Sequence, residues 1–245
     1  MSRAAREYSE SGLYHIVFRG INKQGIFEEE IDYQHLKKII KDLKDELKFE
    51  IYVYCFMTNH VHLLLKESQM GDISLIMKRI LTRYVMYYNR KYQRTGTLIT
   101  NRYKSQPVEI DDYFLAVVRY IHQNPLKAHM VSDIGDYRWS SYNEYVKNLD
   151  GLADKNFVLQ MLNVDEFVEF HQIEETEIFD VSDRIKSSDE QIKREIKIAY
   201  SIEPGDICKL PKQERNSILR ELKKKYSIRQ VERVSGVSRG IIYKS

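Results

Sequence analysis

Glu50-Ile51-Tyr52-Val53-Tyr54-Cys55-Phe56-Met57-Thr58-Asn59-His60-Val61-His62-Leu63-Leu64-Leu65-Lys66 is the segment that decides the fold. Two runs of β-branched, aromatic and aliphatic residues flank the short polar pair Thr58-Asn59, which reads as two strands, Glu50 to Met57 and His60 to Lys66, joined by a tight turn. On the second strand alternate side chains share a face, so His60 and His62 project one way and Val61, Leu63 and Leu65 the other. Apolar groups then pack on one side while two imidazoles converge on the other, a geometry suited to a divalent metal at an open sheet face. A polar strand face hydrogen-bonded to its neighbours would look the same. Zinc-peptidase spacing is absent, and two ligands are too few for a tight site, so a third has to come from elsewhere in the chain.

Outward from this hairpin, Leu13 to Asn22 reads as a first strand, and Asp32 to Lys48 carries Leu36, Ile39, Ile40, Leu43 and Leu47 at helical spacing. Ile73 to Tyr92 reads as a second amphipathic helix, which Gly96 follows as a break. Leu98 to Ile110 reads as extended, and the pair Asp111-Asp112 as a cap for a helix over Tyr113 to Gln123 that Pro125 stops. The order β-α-β-β-α-β plus a helix predicts an α+β fold, the ferredoxin-like split βαβ arrangement. Its antiparallel sheet would carry helices on one face and leave the face with the histidines free.

The chain has 245 residues, 42% of them hydrophobic, enough for one large domain or two modest ones. No apolar run is long enough to span a bilayer, and Met1 to Glu7 lacks the apolar stretch of a signal peptide. Cys55 and Cys208 are the only cysteines, which indicates neither a disulfide framework nor a thiolate metal site. A cytoplasmic location and no membrane partner are the expectation. The net charge is only +3, but its distribution is uneven. No acid occurs between Asp72 and Glu109, while Lys78, Arg79, Arg83, Arg90, Lys91, Arg94, Arg102 and Lys104 do, interleaved with Tyr84, Tyr87, Tyr88, Tyr92 and Tyr103. Cations for phosphates and rings for bases suit a single-stranded nucleic-acid groove. A solvated basic helix whose tyrosines are partly core is the other reading.

Beyond Trp139-Ser140-Ser141-Tyr142 the composition shifts, and residues 164–190 are heavily acidic. Three regions are expected: a domain over 1–150, an acidic helical connector over 151–190, and a basic domain over 191–245. In the last, Tyr226 to Tyr243 reads as helix, glycine turn, Ser238 cap and second helix, a helix-turn-helix pattern that would place Arg239 toward a DNA groove. A plain helical hairpin with a basic surface fits the same residues.

Tyr120 and Asn124 lie four apart, hence on one helix face. An Asn carboxamide oxygen could complete the site begun by His60 and His62, with Tyr120 held beside it. Amphipathic core packing for the tyrosine and an Asn-Pro helix stop are the plainer readings.

Together these residues resemble a family. Met57-Thr58-Asn59-His60-Val61-His62-Leu63-Leu64-Leu65 is similar to the HUH motif of single-tyrosine transposases, and among them to the REP-associated tyrosine transposases. The likeness extends to Phe18-Arg19-Gly20, Gly96-Thr97-Leu98, Asn101-Arg102-Tyr103-Lys104-Ser105, Arg119 to Pro125, and Tyr137-Arg138-Trp139-Ser140-Ser141-Tyr142, covering roughly residues 8–145. Thr58 departs from the proline often found before the Asn-His pair. The tail after residue 190 is similar to helix-turn-helix appendages of some relatives.

The resemblance implies a ferredoxin-like nuclease domain, a Mg²⁺ or Mn²⁺ cofactor and single-stranded, hairpin-forming DNA. It makes Tyr120 the nucleophile and His60, His62 and Asn124 the metal ligands. Gln123 is a second candidate, since relatives differ in using Gln or Asn. Arg102 and Lys104 fall where relatives contact DNA, and Arg83, Arg90, Lys91 and Arg239 join them as expected DNA-binding residues. The expected activity is cleavage and rejoining through a 5′-phosphotyrosine. A replication-initiator or relaxase-like nickase, and a non-catalytic helix-turn-helix regulator, are the alternatives. Relatives include monomers and dimers, so a homodimer is a further expectation.

Overall fold

The computed structural model describes residues 9–100, 102–108, 112–173, 189–226 and 228–243. They fall into two compact units, 1–175 and 176–245. The first contains β1 (Leu13–Arg19), α1 (Glu30–Leu47), β2 (Glu50–Met57), β3 (His60–Lys66), α2 (Ile73–Lys91), β4 (Lys104–Pro107), α3 (Asp112–Lys127), α4 (Tyr142–Val146), α5 (Asn156–Met161) and α6 (Val164–Gln172). The strands form one antiparallel sheet in the order β2-β3-β1-β4, the α+β split βαβ arrangement read from the sequence. Among the described residues no helix is long and apolar enough to cross a membrane.

Alternation on the two central strands builds both faces of the sheet. Tyr14, Ile16 and Phe18 of β1 and Val61, Leu63 and Leu65 of β3 enter one buried cluster with Leu36, Ile39, Ile40 and Leu43 of α1 and Ile76, Met77, Ile80, Tyr84 and Tyr88 of α2. The other face is not free, contrary to expectation. Helix α3 lies across it, with Phe114 packed edge-on to Tyr52 at 6.0 Å between ring centroids and Tyr120 against the histidines. The physical reason is visible in α3 itself. Phe114, Val117, Val118 and Ile121 are fully buried, so the helix presents an apolar stripe that requires a partner surface.

Helix α3 also runs through Pro125 to Lys127 rather than stopping before it. Proline removes the amide donor that would serve the Ile121 carbonyl. Asn124 substitutes for it: its Nδ2 donates to the Tyr120 oxygen at 2.8 Å and to the Ile121 oxygen at 3.4 Å. The extended stretch expected over Leu98 to Ile110 shortens to β4, preceded by an isolated bridge between Gly20 and Ile99. Part of that expectation, at 101 and 109–110, lies outside the described residues, as does Asp111.

The outer edge of β2 is covered. Phe56 N donates to the Trp139 oxygen at 2.9 Å, Ser141 N to the Tyr54 oxygen at 3.0 Å, and the hydroxyls of Tyr137 and Tyr145 to the Phe56 and Tyr52 oxygens. The Tyr137-to-Tyr142 motif is thus a strap that satisfies an exposed strand edge.

The basic, tyrosine-rich α2 packs where a nucleic-acid groove was expected. Tyr84 and Tyr88 are core residues, and their hydroxyls reach the Ile26 oxygen and Glu28. Tyr87, Tyr92 and Lys91 all converge on Asp32, at 2.9, 2.6 and 2.7 Å, and Lys91 also reaches Glu29. Asp32 in turn accepts from the Glu28 and Glu29 amides at the start of α1. Burial alone would raise its pKa, but these hydrogen bonds outweigh burial and hold it at about 2. Arg79 and Arg83 pair with Glu46 of α1. Arg90 remains on the exposed side.

The second unit contains α7 (Asp189–Tyr200), α8 (Lys212–Lys225), α9 (Ile228–Ser235) and α10 (Arg239–Tyr243). Ile192, Ile196, Leu219, Leu222, Val231, Val234, Val237 and Ile242 form its core. Gly236, at φ +69°, makes the turn between α9 and α10, a feature common to a helix-turn-helix and a plain helical hairpin. Of the acidic connector expected over 151–190, α5 and α6 are folded parts of the first unit, and 174–188 lie outside the described residues.

Replacing Asp32 by alanine strands Lys91, two phenols and two helix amides at once. The expected loss is about 3 kcal/mol of unfolding free energy in a denaturant titration. An unchanged midpoint would contradict the clamp.

Candidate active site on the covered sheet face

Directly paired residues of an antiparallel sheet share a face. The row Cys55, His62, Val17, Lys104 therefore crosses all four strands, and the neighbouring row carries Met57, His60 and Arg19. His15, paired with Leu64 and Gln106, lies diagonally beside His62 on the same face. The turn before His60 is fixed by backbone bonds from Gly20 N to the Asn59 oxygen and from Ile26 N to the Thr58 oxygen, both 2.9 Å. A Cβ at Gly20 would stand 2.2 Å from the Gln24 oxygen, so the loop beside His60 closes only around glycine.

On this face His60 and His62 have ring centroids 4.9 Å apart. His60 Nδ1 donates to Asn59 Oδ1 at 2.6 Å, because an amide oxygen can only accept, and this puts the lone pair of the neutral ring on Nε2. His62 is 1% exposed. Burial first, with smaller contributions from the neighbouring His15, His60 and Arg19, which disfavour a further charge there, pushes its pKa well below the usual imidazole value, so it is a neutral ring with a lone pair to offer. Tyr120, 5% exposed, stands edge-on to His62 at 5.8 Å between centroids. Lys127 Nζ lies 5.1 Å from the Tyr120 ring centroid.

The structure thus brings Tyr120 together with the two sequence-predicted histidines. Asn124 is half-buried one turn on, its Nδ2 held by helix carbonyls, which leaves Oδ1 as the atom it can present to a cation. Gln123 points elsewhere, its Nε2 donating to the His171 and Ile173 oxygens at 3.0 and 2.9 Å. Among the described residues no group of three or more His, Cys, Asp or Glu could hold a metal. Of the expected DNA contacts, Lys104 shares the histidine face through its register with Val17, and Arg102 is exposed just before it. Lys91 and Arg83 sit in the ion pairs of α2, away from these rows. Arg239 pairs with Glu232 at 2.9 Å in the second unit. His15 and Arg19 belong to the site and were not read from the sequence. The signal was present, since alternation of Tyr14, Ile16 and Phe18 into the core sends His15, Val17 and Arg19 to the other face.

A chain of buried hydrogen bonds holds α3 in place. His171 Nδ1 donates to the Phe167 oxygen at 2.7 Å, so its Nε2 accepts from His122 Nδ1 at 2.9 Å, and His122 Nε2 accepts from Ser141 Oγ at 2.7 Å. Ser141 Oγ accepts in turn from Tyr54 N at 3.0 Å. With both rings neutral, the Phe167 carbonyl sets the polarity of the imidazole links and directs the Ser141 hydroxyl hydrogen to His122 rather than to the Tyr54 oxygen 3.3 Å away.

Residues 9–124, which hold the whole sheet and most of α3, match the family of IS200-like transposases. More narrowly, the likeness is to REP-associated tyrosine transposases. A Haemophilus influenzae protein named for that group is 25% identical over 160 residues, 60% of this chain and 89% of the relative. A solved REP-associated tyrosine transposase bound to a REP hairpin superposes with a TM-score of 0.52 at 19% identity, over 64% of this chain and 96% of that one, a likeness of fold.

Burial pushes the His171 pKa down to about 4, the Phe167 carbonyl opposing it only in part, and burial holds His122 far below the usual value as well. Both rings fold neutral, whereas unfolded histidine protonates below about 6.5. Stability is therefore complete above that pH and is lost as pH falls toward 4, by about 3 kcal/mol for His171 alone. Unfolding midpoints between pH 7 and 4 should fall, and less steeply in His171→Gln.

Proposed function

We propose that this protein is a DNA strand transferase that cleaves and rejoins single-stranded, hairpin-bearing DNA, with Tyr120 as nucleophile. The observation that carries the reading is the meeting of one buried phenol and an imidazole pair on the covered sheet face of a domain that matches the IS200-like transposase family. Tyr120 Oη forms a bond to a backbone phosphorus while the bond from phosphorus to the 3′ oxygen breaks. The phenolic proton ends, in net terms, on the departing 3′-hydroxyl. The product is a 5′-phosphotyrosine that conserves the ester linkage, so the reverse attack by another 3′-hydroxyl joins strands without ATP.

The donor set fits a Mg²⁺ or Mn²⁺ ion: His60 and His62 through Nε2 and Asn124 through Oδ1, a mixed imidazole and amide set that suits Mn²⁺ at least as well as Mg²⁺. Such an ion, when bound, draws charge from non-bridging phosphate oxygens. The remaining tasks belong to the chain. Asn59 fixes the His60 tautomer, and Asn124 braces α3 across Pro125. The buried chain from Tyr54 through His122 to Phe167 sets how α3 presents Tyr120.

Arg102 and Lys104, at the β4 side of the histidine face, guide the strand, with Arg90 as an outlying contact. Residues 191–245 serve as a separate DNA-binding domain through the α9–α10 pair that carries Arg239. The hairpin held by the solved relative supports a hairpin substrate here.

Incubating the full chain with Mn²⁺ and end-labelled hairpin DNA should yield a denaturation-resistant protein–DNA adduct. Chelation should abolish it. Tyr120→Phe should form none while retaining DNA binding in a mobility-shift assay. An equal adduct from the variant would refute the assignment of Tyr120.

A further inference from the structure

His15 is the one histidine of the face that neither the sequence reading nor the proposed ligand set uses. It is fully buried in the middle of β1. Its Nε2 lies 3.0 Å from His62 Nδ1, its ring stacks on His62 at 5.3 Å, and its edge contacts Tyr120 at 5.8 Å. It therefore touches both the proposed nucleophile and the proposed ligand.

We propose that His15 is a positioning residue that accepts a hydrogen bond from Nδ1–H of His62 and so keeps the Nε2 lone pair of His62 directed to the cation. The inference rests on the metal reading above and deepens it. One proton bridges the two rings, and only two polarities exist. If His62 Nδ1 donates, the neutral ring has its lone pair on Nε2 and can ligate through it. If His15 Nε2 donates, the His62 proton sits on Nε2, and that nitrogen is closed to a metal. The same logic operates at His60, where Asn59 Oδ1, an obligate acceptor, enforces the ligating tautomer. His15 gives the second ligand the counterpart of that support, from inside the sheet. Because β1 and β3 pair directly, the support is built into the strand register and needs no loop. Partners of this kind commonly tune metal affinity by about 10- to 100-fold.

The tautomer is measurable on the full chain without metal, from long-range ¹⁵N–¹H correlations of the imidazoles. Wild-type protein should show His62 protonated on Nδ1. In His15→Phe, which keeps a buried ring but removes the acceptor, His62 should lose that single tautomer, and Mn²⁺ affinity measured by electron paramagnetic resonance should fall at least tenfold. His15→Gln, whose Oε1 can accept, should restore most of the affinity, which a role in packing alone would not predict. Wild-type His62 protonated on Nε2 overturns the proposal without any variant. So does a folded His15→Phe protein that binds Mn²⁺ like wild type, an outcome that leaves the metal site itself intact. A wild-type chain that binds no Mn²⁺ overturns the metal reading and this inference together.

Discussion

The period of two along β1 and β3 is the constraint on which everything else depends. In one register the apolar set of both strands faces α1 and α2, while His15, Val17, His60 and His62 face α3. A slip of one residue would drive imidazoles into the apolar cluster and turn Val61 and Leu63 to the other side. Since both faces are covered, the register is specified twice: once by the apolar cluster and once by the hydrogen bond between His15 and His62. Fold and site are thereby the same choice made at the same residues.

Local periodicity accounts for the elements that were legible in the sequence, whereas the roles of the site residues came from the family resemblance. The hairpin around Thr58-Asn59, the two amphipathic helices and the common helix face of Tyr120 and Asn124 depend on neighbours within a few residues. The covered second face was harder to read because it requires α3, some fifty residues downstream of the histidines, to return across the sheet. Its apolar stripe was nonetheless present in Phe114, Val117, Val118 and Ile121. Pro125 misled for a different reason. A proline near a helix end terminates it only if the orphaned carbonyl finds no other donor, and the side chain of Asn124 supplies one. His15 escaped notice because alternation along β1 assigns its face but not the cross-strand neighbours it meets there.

The α2 segment shows why a charge count along the chain can misdirect. Its cations have no acid near them in sequence, yet Glu29 at the cap of α1 and Asp32 and Glu46 within it meet Lys91, Arg79 and Arg83 in space. The residue types that stack on bases and neutralise phosphates are the same types that pack helices and close ion pairs. Only the position of Asp32, fully buried at the start of α1, distinguishes the two uses. The cations on the histidine face, Lys104 among them, are set by strand register instead, which linear composition does not reveal.

The run of buried polar contacts from β2 through Ser141 and His122 ends on the carbonyl of Phe167, well past the last residue of the sheet. The autonomous piece of this molecule thus extends farther along the gene than its strands suggest. A shortened version ending near residue 150 would retain every strand and the tyrosine helix, but would lose His171 and Phe167, and so would expose the His122 ring and the face of Tyr145 that Phe167 covers. Trimming should respect α6, which acts as the keystone of the helix it leans on rather than as a tether to the second unit.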